Sequence, residues 1–186
     1  PVAGERELAR VATPLANVLE PINTHSNNAC ADQLFLALGH AQSGRGTREG
    51  GRAATASALQ RLGLDAESLV QVDGSGLSRE NRVSARQITA LLDAVVAQGS
   101  RTARLYFDSL AVGHESGTLD GRMKSEALAG RVHAKTGFIN GTSALSGFID
   151  AHDGRTFAFS ILVEYPPSGG LNQSVWKPMS GAPVTR

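Results

Sequence analysis

A single cysteine in 186 residues means that no disulfide can form within the chain, and the redox compartment is left open. Cys30 reads as a small buried apolar residue. Charge is close to balanced, at a formal net +1, and no basic run carries interleaved aromatics, so the sequence gives no sign of a nucleic-acid partner. The longest apolar run, around Phe157–Val163, is far too short to span a membrane. The histidines at 25, 40, 114, 133 and 152 make no pair at metal-ligand spacing, so neither a metal nor another cofactor is expected. No methionine precedes Met123, and the chain reads as part of a longer translation product. The absence of a signal peptide therefore excludes little.

What is present is ordinary for a globular domain: 41% hydrophobic and 19% charged residues, in a chain long enough for one core. Glu5–Ala12 is ambiguous between strand and helix. Thr13-Pro14 reads as an N-cap and first helical residue, followed by Leu15, Val18, Leu19 and Ile22 at helical spacing, with Pro21 ending or kinking the helix. A polar turn, Asn23–Asn28, leads to a second helix with Ala31, Leu34, Phe35 and Leu38 on one face. Ser43–Gly51 is glycine-rich but fits no phosphate-binding pattern and reads as a connector. A helix over about Arg52–Leu62 closes at Gly63. Asp73-Gly74-Ser75-Gly76 is a turn. Ser84 and Gln87 form a capping box for an amphipathic helix with Ile88, Leu91, Leu92 and Val95 inward. Leu105–Met123 is mixed and loop-rich. The last third changes to strand patterning: Arg131–Phe138, Thr142–Ala151 and Arg155–Tyr165, joined at Asn140-Gly141 and Asp153-Gly154, both type I′ signals. The third strand is nearly all apolar and reads as central, covered on both faces. Leu171–Met179 reads as a short helix. These elements predict an α/β chain of the α+β type, with helices around an antiparallel sheet.

Two polar clusters carry chemistry. Ser26-Asn27-Asn28 stands at a helix start, where a hydroxyl can pass a proton and a carboxamide can hold a carbonyl. Lys135-Thr136-Gly137 lies in the body of the first strand of the meander. Glycine there lets a ligand approach the backbone, while an ammonium and a hydroxyl suit a terminal carboxylate. With a free edge, that strand could dock an extended peptide by β-augmentation. Both patterns accompany S-x-x-K in serine acyl-transfer enzymes, where that serine is the nucleophile and the lysine one turn on can take its proton.

Longer stretches make the case specific: HSNNACADQLFLALG (25–39), LGLDAESLVQVDGSGLSRENRVSA (62–85), SGTLDGRM (116–123), HAKTGFINGTSALSGFIDAHDG (133–154) and FAFSILVEYPP (157–167). In these the chain resembles the C-terminal part of the low-molecular-mass class C penicillin-binding proteins, the D-alanyl-D-alanine carboxypeptidase/endopeptidase family. The resemblance implies a penicillin-binding/serine β-lactamase-like fold, incomplete here, with residues 1–186 forming the C-terminal portion of a single catalytic domain. It implies hydrolysis of the terminal D-Ala–D-Ala bond of peptidoglycan stem peptides, with some crosslink cleavage, through a serine acyl-enzyme that β-lactam antibiotics trap. By motif, Ser26 would relay protons, Asn28 would contact the substrate amide and Lys135 would supply positive charge beside Ser26. Thr136 and Gly137 would hold the substrate's carboxylate and backbone, and Asp73–Ser78 would be a structural turn beside the site. A location outside the cytoplasmic membrane is implied in the same way.

The family's S-x-x-K lies upstream of its Ser-x-Asn motif, yet Pro1–His25 contains no serine. The one such string, Ser174-Val175-Trp176-Lys177, stands at the opposite end and reads as a helix start. The chain is therefore expected to hold half of an active site, to leave a sheet edge and an apolar face uncovered, and to need an N-terminal piece of the same protein as partner. Two other readings stand beside the enzyme: a non-catalytic peptidoglycan-peptide binder that has lost the nucleophile, and a β-lactamase, against which DGSGLSRENR argues.

Overall fold

The computed structural model describes residues 8–9 and 11–166. The predicted helix Leu171–Met179, the Ser174–Lys177 string and half of Glu5–Ala12 lie outside these residues. The helices are α1 (Ala16–Asn23), α2 (Asn28–Ser43), α3 (Arg48–Arg61), α4 (Ala85–Ala97) and α5 (Ser100–Asp108). The strands β1 (Ala111–Val112), β2 (Val132–Ile139), β3 (Thr142–Asp150) and β4 (Thr156–Glu164) form one antiparallel sheet in sequence order. Among the described residues no helix is long and apolar enough to cross a membrane.

Local chemistry explains most helix starts. Asn27 caps α2 by accepting the Cys30 N–H, and Thr47 caps α3 through the Gly50 N–H. The expected capping box opens α4, with Ser84 and Gln87 satisfying each other's backbone N–H. At α1 the expectation fails. Thr13 caps nothing, the helix starts at Ala16, and Pro21 lies inside it rather than ending it. The Pro21 carbonyl is satisfied from beyond the helix, by the Asn27 N–H at 2.9 Å. Cys30 is half-buried rather than buried.

The glycine-rich stretch is only partly a connector. That connector is Gly44–Thr47, and Gly50 and Gly51 belong to α3. Glycine stands there because α2 and α3 nearly touch: a Cβ on Gly39 would sit 2.7 Å from the Gly51 nitrogen, and one on Gly51 would sit 2.8 Å from the Phe35 ring. Phe35 is buried in this contact as expected, but Leu38 and, on α4, Leu91 are 45% and 37% exposed. The Asp73 turn is held entirely by internal bonds. The Asp73 carboxylate, buried, accepts from the N–H groups of Gly76 and Ser78 and from the Asn81 amide, while Asp32 on α2 accepts from Gly74 and Ser75.

The three-stranded meander forms as predicted, but its turns do not. At Asn140-Gly141 only the glycine has positive φ, which excludes type I′, and Asp153-Gly154 lies inside a longer loop closed by the Ala151 N–H to the Arg155 carbonyl. The stretch Leu105–Met123, read as mixed and loop-rich, holds the end of α5 and all of β1, and β1 makes a fourth strand against His133 and Ala134. Two cores flank the sheet. Leu92, Leu110 and Phe148 close the face under α4 and α5, with Tyr106 and Phe107 against Phe148. Ala111, Leu119, Val132 and Ala134 close the other face under the loop that follows β1.

β4 corrects the reading of a central strand. It is the edge of the described sheet, and its second face is covered only at Phe159, which packs against the core around Val132 and Ala134. Ala158 packs beneath α4, whereas Phe157, Ile161 and Val163 on the other face are 44–53% exposed. A continuous apolar run signals burial of a strand without naming which neighbours cover it. The α2–α3 contact yields a sign reversal. Alanine normally stabilises a helix interior relative to glycine by about 0.5–1 kcal/mol, but Gly39→Ala drives a methyl into the α3 backbone and is expected to destabilise by about 1–3 kcal/mol in urea unfolding.

Candidate active site

Lys135 reaches the helical side of the sheet because of its register. It pairs with Ser146 on β3, two positions from the His133–Phe148 pair, and paired residues share a face. That face holds Phe148 against Leu92, so Lys135 points to the side where the helices lie. Its ammonium donates to Ser26 Oγ at 2.7 Å and to the Thr136 carbonyl at 2.7 Å. The two residues are 109 positions apart in the chain. Burial pushes the Lys135 pKa down from its ordinary value.

Ser26 stands in a strained turn. Its φ of 57° is left-handed in a residue with a Cβ, a conformation that costs on the order of 1–2 kcal/mol. Neighbouring contacts hold it there. Asn27 is fixed as the α2 cap and by its N–H to Pro21. Thr24 is 6% exposed, and its hydroxyl donates to the Ser109 carbonyl at 2.5 Å while Asn23 donates to the Ser109 hydroxyl. The Thr24 carbonyl in turn accepts the Thr118 N–H at 3.1 Å. Gly117 makes that approach feasible: it has φ 55°, and a Cβ on it would lie 2.2 Å from the Thr24 carbonyl oxygen. Asn28, the other proposed residue of the turn, is the exposed first residue of α2.

The strand side is more specific than its sequence indicated. Val132 offers its carbonyl to Gly113 on the outer side, and Arg131 accepts from Asp150 on the β3 side. Alternation therefore turns the backbone groups of Thr136 and Phe138 outward and those of Gly137 toward β3. β1 occupies the outer edge at His133 and Ala134, so the expected free edge is reduced to Lys135–Ile139, which has no strand partner on its outer side among the described residues. Gly137 is exposed, with only the Ala144 Cβ at 3.1 Å limiting its open face. The Thr136 hydroxyl donates to the Thr118 hydroxyl at 2.9 Å. His133, on the Lys135 face, stacks on Phe107 with ring centroids 4.1 Å apart.

The fold thus brings Ser26, Lys135 and Thr136 together, with Asn28 and Gly137 on the same two segments. Sequence reading overlooked Thr24, Ser109 and Thr118. The signal was partly available, because SGTLDGRM contains Thr118, but nothing in that string says that it bridges the two clusters.

A profile of the D-Ala-D-Ala carboxypeptidase 3 (S13) family matches residues 2–179. The chain belongs to that family. Among curated S13 relatives, the D-alanyl-D-alanine carboxypeptidase of Actinomadura sp. (strain R39) is 40% identical over 153 residues, which are 80% of this chain and 28% of that protein. Carboxypeptidase DacB of Mycolicibacterium smegmatis is 30% identical, over 81% of this chain and 34% of its own length. The crystal structure of penicillin binding protein 4 (dacB) from Haemophilus influenzae, complexed with a novel β-lactam, superposes with a TM-score of 0.75 at 28% identity, covering 87% of the S13 chain and 37% of that structure. The S13 chain therefore spans about a third of the length of these relatives, and its helices and antiparallel sheet have the penicillin-binding fold.

The depressed Lys135 pKa fixes a sign. Between that value and the ordinary 10.5 the unfolded chain binds the extra proton, so stability rises with pH across this window and the burial penalty is fully present below it. Lys135→Met abolishes the rise. In urea unfolding at stepped pH, wild type is expected to gain on the variant only in the window below 10.5.

Proposed function

We propose that this chain carries the proton-relay and substrate-binding half of a serine D,D-carboxypeptidase site. The whole protein hydrolyses the terminal D-Ala–D-Ala bond of peptidoglycan stem peptides and, on this reading, also cleaves some crosslinks. The observation that carries the reading is the 2.7 Å contact of Lys135 with Ser26, made between the two motifs of an S13 chain. Residues 1–186 are read as the C-terminal portion of one catalytic domain. Pro1–His25 contains no serine, so the nucleophile is assigned to sequence outside these residues, supplied as an N-terminal piece of the same protein. The open apolar face of β4 supports that assignment, since exposed patches of this kind mark surfaces that meet further protein.

In the proposed reaction the nucleophilic serine forms a bond to the scissile carbonyl carbon and the carbon–nitrogen bond breaks. The departing D-alanine amine must gain a proton. Ser26 gives it, and is replenished with the proton that left the nucleophile. Lys135 favours this relay because an ammionium donating to Ser26 Oγ stabilises negative charge developing there. Water then adds to the acyl carbon, the serine–acyl bond breaks, and the serine regains its proton. Asn28 holds the substrate amide, Thr136 takes the terminal carboxylate, and Gly137 leaves room for the substrate backbone. A β-lactam enters by the same route and stays as the acyl-enzyme, as the β-lactam complex of the Haemophilus relative supports. Action on cell-wall peptides supports a location outside the cytoplasmic membrane.

Fluorescent penicillin tests the reading on the complete protein. Stable covalent attachment is expected, slowed by about 10²-fold or more in Ser26→Ala and in Lys135→Met. No attachment would leave the non-catalytic binder, and rapid release of opened penicillin would mean a β-lactamase.

A further inference from the structure

We propose that Thr118 is a second carboxylate-binding residue, forming with Thr136 a two-hydroxyl clamp for the end of the peptide; the proposal rests on the carboxypeptidase reading above. Thr136 Oγ1 donates to Thr118 Oγ1 at 2.9 Å. Thr118 accepts that bond and so has its own hydroxyl proton to give. A carboxylate offers about four lone-pair positions, enough for both hydroxyls at once. When it arrives, the Thr136 proton turns from a neutral oxygen to a charged one, and Thr118 donates alongside. Hydrogen bonds to an ionised acceptor are roughly twice as strong as neutral ones, so the exchange favours the bound state.

The position of Thr118 is set before any ligand comes. Its N–H is bound to the Thr24 carbonyl, and Gly117 lies against Thr24 with no room for a side chain. Thr24 is two residues from Ser26, so the segment that fixes the relay serine also fixes the second hydroxyl. Little ordering is left for binding to oppose. Thr118 also lines an open hollow with His25, Glu115 and Asp120. The two acidic side chains disfavour a carboxylate deeper in that hollow. They leave the Thr118–Thr136 junction, on the residue whose carbonyl the Lys135 ammonium holds, as the place where the negative charge settles.

The test compares acylation of the complete protein by benzylpenicillin and by its methyl ester, which lacks the charge. The readout is the ratio of the two second-order rate constants. Thr118→Val is expected to lower that ratio about tenfold, and Thr118→Ser to restore most of it. The same substitution on a Thr136→Val background separates direct contact from positioning: a further several-fold fall in the ratio is expected. An unchanged ratio in Thr118→Val, an equal loss for both compounds, or no further fall on the Thr136→Val background would each overturn the clamp while leaving the carboxypeptidase reading intact. A wild-type protein acylated by neither compound would overturn both.

Discussion

A buried ammonium touching the hydroxyl of a strained serine is the constraint around which this structure is arranged. Lys135 is expensive to bury, and Ser26 is expensive to hold at positive φ. Neither would persist alone. Lys135 is compensated by two oxygen acceptors, and Ser26 is held by a helix cap on one side and by Thr24 on the other. The strain sits where charge and hydroxyl meet, which is the usual place for a fold to concentrate it.

The short segment from Ser109 to Leu119 couples the helical and strand halves. Ser109 and Thr118 both grip Thr24, one through its side chain and the other through its carbonyl. Between them β1 pairs with β2 only at His133 and Ala134. The segment thus covers the sheet edge up to Lys135 and stops there. A longer β1 would have occupied the backbone groups of Thr136 and Phe138, and a missing one would have left the core around Ala134 open. The extent of that pairing decides how much of the edge remains for a peptide.

Much of this could be read in advance. The caps of α2 and α4 and the three-stranded meander follow from local patterns: side-chain oxygens at helix starts, period-two alternation and short polar turns; the meeting of the two motifs was implied only by the family resemblance. Other readings failed where a distant neighbour overrides local preference. Gly50 and Gly51 resemble loop residues, but they are helical because α2 lies against them. The apolar run of β4 signals burial, yet one face of it is open. The turn at Asn140-Gly141 has the right residues for a type I′ turn and adopts another, since Asn140 keeps negative φ.

By itself the sequence determined which chemical groups were at hand and in which kinds of element they would lie. A serine at a helix start and a lysine in a strand are local facts, set by capping and by alternation. Only the tertiary structure decided that the ammonium meets that hydroxyl, that Thr118 joins Thr136, and that half of the β2 edge is already taken. Those are contacts between residues far apart in the chain, and they depend on strand register and helix packing, which no local pattern encodes.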